Sequence, residues 1–141
     1  MKLTFGICAF LFLSLELSAT ETVKQKLEST EQTLQVTTIH GSNVSHFSMQ
    51  NAEGKYSISM SANAGATRKK NLTQADFNYI IKNYMDLPQA PKVPADCYRA
   101  RMDIVLLKNG TQMSKKSSCF GLNTLTEPKY VHFSQVLVNA L

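Results

Sequence analysis

The side chains in this chain that could do chemistry are three cysteines, three histidines, scattered serines and a few basic clusters, and their spacing decides among them. Cys97 and Cys119 stand 22 positions apart, unlike the close C-x-x-C arrangement of a redox-active pair. His40 and His46 flank Gly41-Ser42-Asn43, a hairpin turn across which they could meet. Two imidazoles without a third ligand do not make a zinc site. His132 stands alone near the C-terminus and reads as a surface residue. No G-x-S-x-G turn accompanies the serines, and no His–Asp set is placed to activate one. Asp76 reads as a helix cap and Asp96 as a turn residue beside a cysteine. The sequence therefore assigns no catalytic residue, no cofactor and no metal ligand, and the chain is read as a non-enzyme.

Charge narrows the partners. Arg68-Lys69-Lys70, Arg99, Arg101, Lys115 and Lys116 give most of a net charge of +5. Binding to nucleic acid would need aromatic side chains interleaved with those cations, and the strands supply almost none. No nucleic-acid partner is expected; the cations read as a solvated basic face, with attraction to anionic envelope surfaces as what remains of a binding role. Three N-x-S/T sequons begin at Asn43, Asn71 and Asn109 and decide nothing about the compartment.

The compartment is read from the first 19 residues. Lys2, the apolar run Leu3 to Leu15, and Leu17-Ser18-Ala19 have the order of a secretory signal cut after Ala19. The run is shorter than a membrane span, and Glu16 interrupts its end. Cleavage would leave a secreted or periplasmic chain of 122 residues with no transmembrane span and only Cys97 and Cys119 as cysteines. In an oxidising compartment they are expected to form a structural disulfide, stabilising the fold by roughly 3 kcal/mol for such a loop.

The elements that must position these residues follow from periodicity. Thr20 to Thr33 is polar and reads as a flexible lead-in, with one domain from 34 to 141. Strands are expected at Leu34–Ile39, Ser45–Gln50 and Lys55–Ala62, the last alternating Tyr56, Ile58, Met60 and Ala62 with serines. Asn63 to Asn71 reads as a loop. Thr73 opens a T-x-x-D capping box, and Phe77, Ile80, Ile81 and Tyr84 form one helical stripe ending at Leu87-Pro88. Gln89–Asp96 is a proline-rich connection. A strand at Cys97–Lys108 turns at Asn109-Gly110 into a partner at Thr111–Phe120, with Ala100 expected opposite Cys119. Thr126 caps a last helix whose stripe is Tyr130, Phe133, Val136, Leu137 and Leu141.

The order β-β-β-α-β-β-α predicts an α+β fold: a four- to five-stranded antiparallel sheet with two amphipathic helices on one face. Residues 34 to 141 resemble the emfourin-like family of small bacterial proteins, some of which inhibit metalloproteases. The resemblance lies in an antiparallel pair, a helix closing on Tyr84-Met85-Asp86-Leu87-Pro88, the entry Asp96-Cys97-Tyr98 into a hairpin, and a C-terminal helix starting at a proline. The signal, the extra strand and the cysteine pair depart from that pattern, and no inhibitory residue carries across. The expected function is a secreted or periplasmic binding module for a protein partner, with protease inhibition as the activity the resemblance implies. Its expected contact loops are Gly41–Ser45, Ala64–Asn71 and Gln89–Asp96. The alternative is an envelope-associated accessory protein held by its basic face.

Overall fold

The computed structural model describes residues 31–63, 65–89, 97, 100–120 and 127–141. The expected signal, most of the lead-in, the connection from Ala90 to Asp96, Arg99 and the Thr126 cap lie outside these residues. The elements are β1 (Gln32–His40), β2 (Asn43–Ala52), β3 (Lys55–Ala62), β4 (Arg68–Leu72), α1 (Gln74–Met85), β5 (Ala100–Lys108), β6 (Thr111–Cys119) and α2 (Glu127–Ala140). The class is α+β, and the sheet is antiparallel throughout with the order β4-β3-β2-β1-β5-β6.

Two expectations about the sheet are corrected. It has six strands, because Arg68–Leu72 is β4 rather than a loop. Its sequence, Arg-Lys-Lys-Asn-Leu, has no apolar alternation to announce a strand. It pairs along β3 through its backbone and leaves Arg68 to Asn71 exposed, as a charged edge strand does, with only Leu72 turned partly onto the core. The second correction is register. The Asn109-Gly110 turn has positive φ at both positions, 50° and 75°, and pairs Leu107 with Gln112 as expected. A bulge then leaves Met113 without a partner and shifts the pairing by one, so that Arg101, not Ala100, lies opposite Cys119. β1 also starts two residues earlier than expected, at Gln32.

Alternation divides the sheet into two faces. Leu34, Val36, Phe47, Met49, Ile58, Met102, Ile104 and Leu106 lie on one face and form a single core with Phe77, Ile80 and Tyr84 of α1 and Tyr130, Phe133, Val136 and Leu137 of α2. Both helices therefore pack on the same face. Phe77 packs at a tilt against Tyr56 of β3, with ring centroids 5.1 Å apart, while Tyr84 reaches Ser114 of β6. α1 thus runs across the sheet from β3 toward β6. Its start is fixed by the Thr73–Asp76 capping box, in which the Asp76 N–H donates to Thr73 Oγ1 at 3.1 Å. The Thr73 side-chain hydrogen bond, followed by its backbone N–H, holds the Asp76 carboxyl below the ordinary carboxylate range.

Candidate functional site

The strand register gathers the segments of interest at one end of the sheet. His40 pairs with Asn43 across the β1–β2 turn and with Ala100 at the start of β5. Ser45 pairs with Ala62, the last residue of β3, and Arg101 with Cys119, the last of β6. The Gly41 turn, the exit from β3 and the cysteines therefore share one rim. Gly41 opens its turn at φ 63°, a conformation glycine adopts without a side-chain penalty.

Asn63 stitches two of these segments together. Its backbone N–H donates to Val44 O at 3.0 Å, its Oδ1 accepts from Val44 N–H at 2.7 Å, and its Nδ2 donates to Asn43 Oδ1 at 2.8 Å. The third segment is fixed through β6. Cys97, buried, is joined to Cys119 in a disulfide with Cα atoms 5.8 Å apart. At the other end of the same connection, Lys116 Nζ donates to Tyr84 O, Met85 O and Leu87 O at 2.9, 3.0 and 2.6 Å. These carbonyls lie at and just beyond the end of α1, where Tyr84 O also accepts from Leu87 N–H at 3.2 Å, and a lysine placed there adds donors to them and offsets the helix dipole. Partial burial pushes the Lys116 ammonium below the ordinary lysine range, opposed by the charge of Asp86. Tyr130 donates to Pro88 O at 2.9 Å. Both ends of the stretch from Leu87 to Cys97 are thus pinned to β6, three residues apart, at Lys116 and Cys119.

A cavity of about 420 Å³ opens at the same rim. Ile39, Met102, Phe120 and Val131 give it apolar walls, and His40 and Gln135 add polar groups. Beside it, Arg101 makes a two-pronged ion pair with Asp103, Nε to Oδ2 and Nη2 to Oδ1, each at 2.8 Å, and Ser117 donates to the same carboxylate. Two further cavities, of about 330 and 400 Å³, lie between the helices and share His132.

The histidines do not meet. His46 lies on the face away from the helices and bonds Thr37 at 3.1 Å, whereas His40 lies on the helix side of the rim. A turn of only two residues sets His40 opposite Asn43, and the odd number of residues from there to His46 is what separates the two rings. The basic residues also divide. Lys69 and Lys115 fall on the face away from the helices, and Arg68, Lys70 and Lys116 on the other. Three features of the site had no signature in the sequence: the Asn63 clamp, the Lys116 latch and the Arg101–Asp103–Ser117 cluster. A positive φ at Asn63 and the bulge at Met113 create them, and neither leaves a mark in composition.

Compared with known protein families, curated proteins and solved structures, the chain matches none. Among the described residues no group of three or more His, Cys, Asp or Glu is placed to hold a metal ion. No helix among them is long and apolar enough to cross a membrane.

Proposed function

We propose that this protein is an exported, non-enzymatic binding module that recognises a protein partner through the rim. One observation carries the reading. The fold brings the Gly41–Ser45 turn, the exit from β3 at Asn63 and the Cys97 end of the Gln89–Asp96 connection to one edge, and ties each down with described bonds. Pinned segments lose little conformational freedom on binding, which is how a small scaffold gains affinity. The rim cavity offers a place for a partner side chain at the centre of such a contact. Of the second contact segment, Ala64–Asn71, β4 carries Arg68 to Asn71 away from the rim along the sheet edge.

The partner class is a secreted protease, the activity implied by the resemblance to emfourin-like proteins. The alternative, an envelope protein held by one basic face, draws less support because the cations divide between two faces. The experiment is titration of the exported protein against a panel of secreted proteases that includes metalloproteases. Inhibition is expected for at least one, and Ser42→Arg at the rim should weaken it, while Lys82→Ala on the exposed side of α1 should not. Absence of both inhibition and binding across the panel overturns the protease reading. Inhibition insensitive to Ser42→Arg and to the rim cavity variant Val131→Arg overturns the rim.

A further inference from the structure

The face of the sheet away from the helices carries an ordered array that the rim does not use. Along β3, β2 and β1 the register sets Ser57, Gln50 and Thr33 in one cross-strand row, Ser59, Ser48 and Gln35 in the next, and Ser61, His46 and Thr37 in a third. Gln35, His46 and Gln50 are exposed, so the middle of this face is open, while Thr33 at the β1 end of the first row is buried. The central row continues to Lys69 of β4 on one side, and through Val105 to Lys115 of β6 on the other. Both lysines are exposed. Five strand spacings of about 4.8 Å put them on the order of 24 Å apart. Among the described residues the one carboxylate in these three rows is Asp103, and it is already held by Arg101 and Ser117.

We infer that this face is a docking surface for an extended, carboxylate-bearing polysaccharide lying across the strands. Charge complementarity selects an anion, since the two lysines face solvent and no free carboxylate opposes them. The low charge density selects the kind of anion. Densely sulfated or phosphorylated polymers are met by arginine forks; these rows hold no arginine, and Arg101, on the same face one row beyond them, is committed to Asp103. Hydroxyl and amide groups repeat at the strand spacing, about 4.8 Å, which is close to the rise of one pyranose unit in an extended chain. Broad stacking platforms for bases or for neutral sugars are missing, because no Phe, Tyr or Trp lies in these rows and His46 is their one aromatic ring. A protein interface would want an apolar or aromatic anchor at its centre, and the centre here is Ser48.

The test measures retardation of the whole protein in gels containing polygalacturonate. Native protein should bind, and binding should fade as salt is raised because the charges are exposed. Lys69→Gln with Lys115→Gln should weaken binding roughly tenfold or more, the worth of two lost surface cations. Lys82→Gln with Lys129→Gln, exposed cations on the helix side, removes the same net charge and should leave binding near native. Ser48→Glu at the centre of the array should abolish it. Equal weakening by the two lysine pairs reduces the effect to net charge and overturns the proposal. No binding by native protein overturns it too, as does tighter binding to heparin, or displacement by polyglutamate at equal charge, which assigns the face to an acidic polypeptide. A dimer in sedimentation that Ser48→Glu dissolves assigns the face to a second copy of the chain, and this also overturns it.

Discussion

Lys116 shows how one side chain joins separate parts of the fold. Its ammonium meets three carbonyls at the end of α1 and lies 4.9 Å from the centre of the Tyr84 ring, while Tyr84 itself bonds Ser114 two positions along the same strand. Lys116→Met keeps the stem but removes every donor, and should cost about 2–3 kcal/mol in urea melts, since hydrogen bonds to charged groups are the strong ones. Lys115→Met, one position away and exposed, should cost close to nothing. Equal small losses for both would show that the latch carries no stability. Tyr130 makes a second prediction. Burial, with a smaller contribution from Tyr84, pushes its hydroxyl up to about 12. A folded value above the unfolded value of about 10 means that folding favours the neutral phenol. Its contribution is complete below pH 10 and drains away between 10 and 12, at up to about 1.4 kcal/mol per pH unit. Tyr130→Phe should be less stable at neutral pH, having lost the bond to Pro88, yet show a shallower decline across that window. A parallel decline in both proteins would place the alkaline loss elsewhere.

At the scale of elements, α1 offers the cleanest comparison. Thr73→Ala removes the acceptor for the Asp76 N–H and should cost about 1 kcal/mol. Phe77→Ala empties a position 2% exposed, against Tyr56, and should cost about 3–5 kcal/mol. Similar losses for the two in thermal or urea melts would mean that the helix does not bury the face described. Both residues were legible in the sequence, because a capping box and a period-3.6 stripe are local patterns with local causes. β3 was legible for the same reason. β4 was not, because an edge strand held by backbone bonds needs no apolar side chains, and a run of Arg, Lys and Asn looks like a loop. The bulge at Met113 was hidden as well, since a turn sequence sets register at the hairpin tip and says nothing of a residue inserted three positions later. That one insertion brings Cys119 opposite Arg101 and Ser117 opposite Asp103, so that Ser117 completes the cluster that Asp103 forms with Arg101 two residues back on β5. The candidate site was therefore legible in its segments and hidden in its contacts.

For the molecule as a whole, the sheet order explains why the rim exists. β1 lies at the centre, although it comes first of the described strands, with β2–β4 built outward on one side and β5–β6 on the other. The two hairpin arrays are tied to each other by β1 and the helices, and the disulfide tethers the long passage between them to the far edge. Cys97 follows that passage and Cys119 ends β6, so the bond closes the entry to β5 against the strand two places from β1. The closed loop of 22 residues is expected to supply about 2–4 kcal/mol, chiefly by restricting the unfolded chain. Non-reducing peptide mapping of the exported protein should recover Cys97 and Cys119 in one linked fragment. Reduction should lower stability by that amount while leaving α1 protected from hydrogen exchange, because Lys116 and Tyr84 hold its end independently of the sulfurs. Exchange should instead rise at Phe120, whose N–H donates to Ala100 O at 2.9 Å beside the bond. If both thiols titrate freely in native protein, the rim has lost one of its anchors. Ser42→Arg would then be the wrong place to look for a large effect on a partner, since an unpinned connection could move away from it.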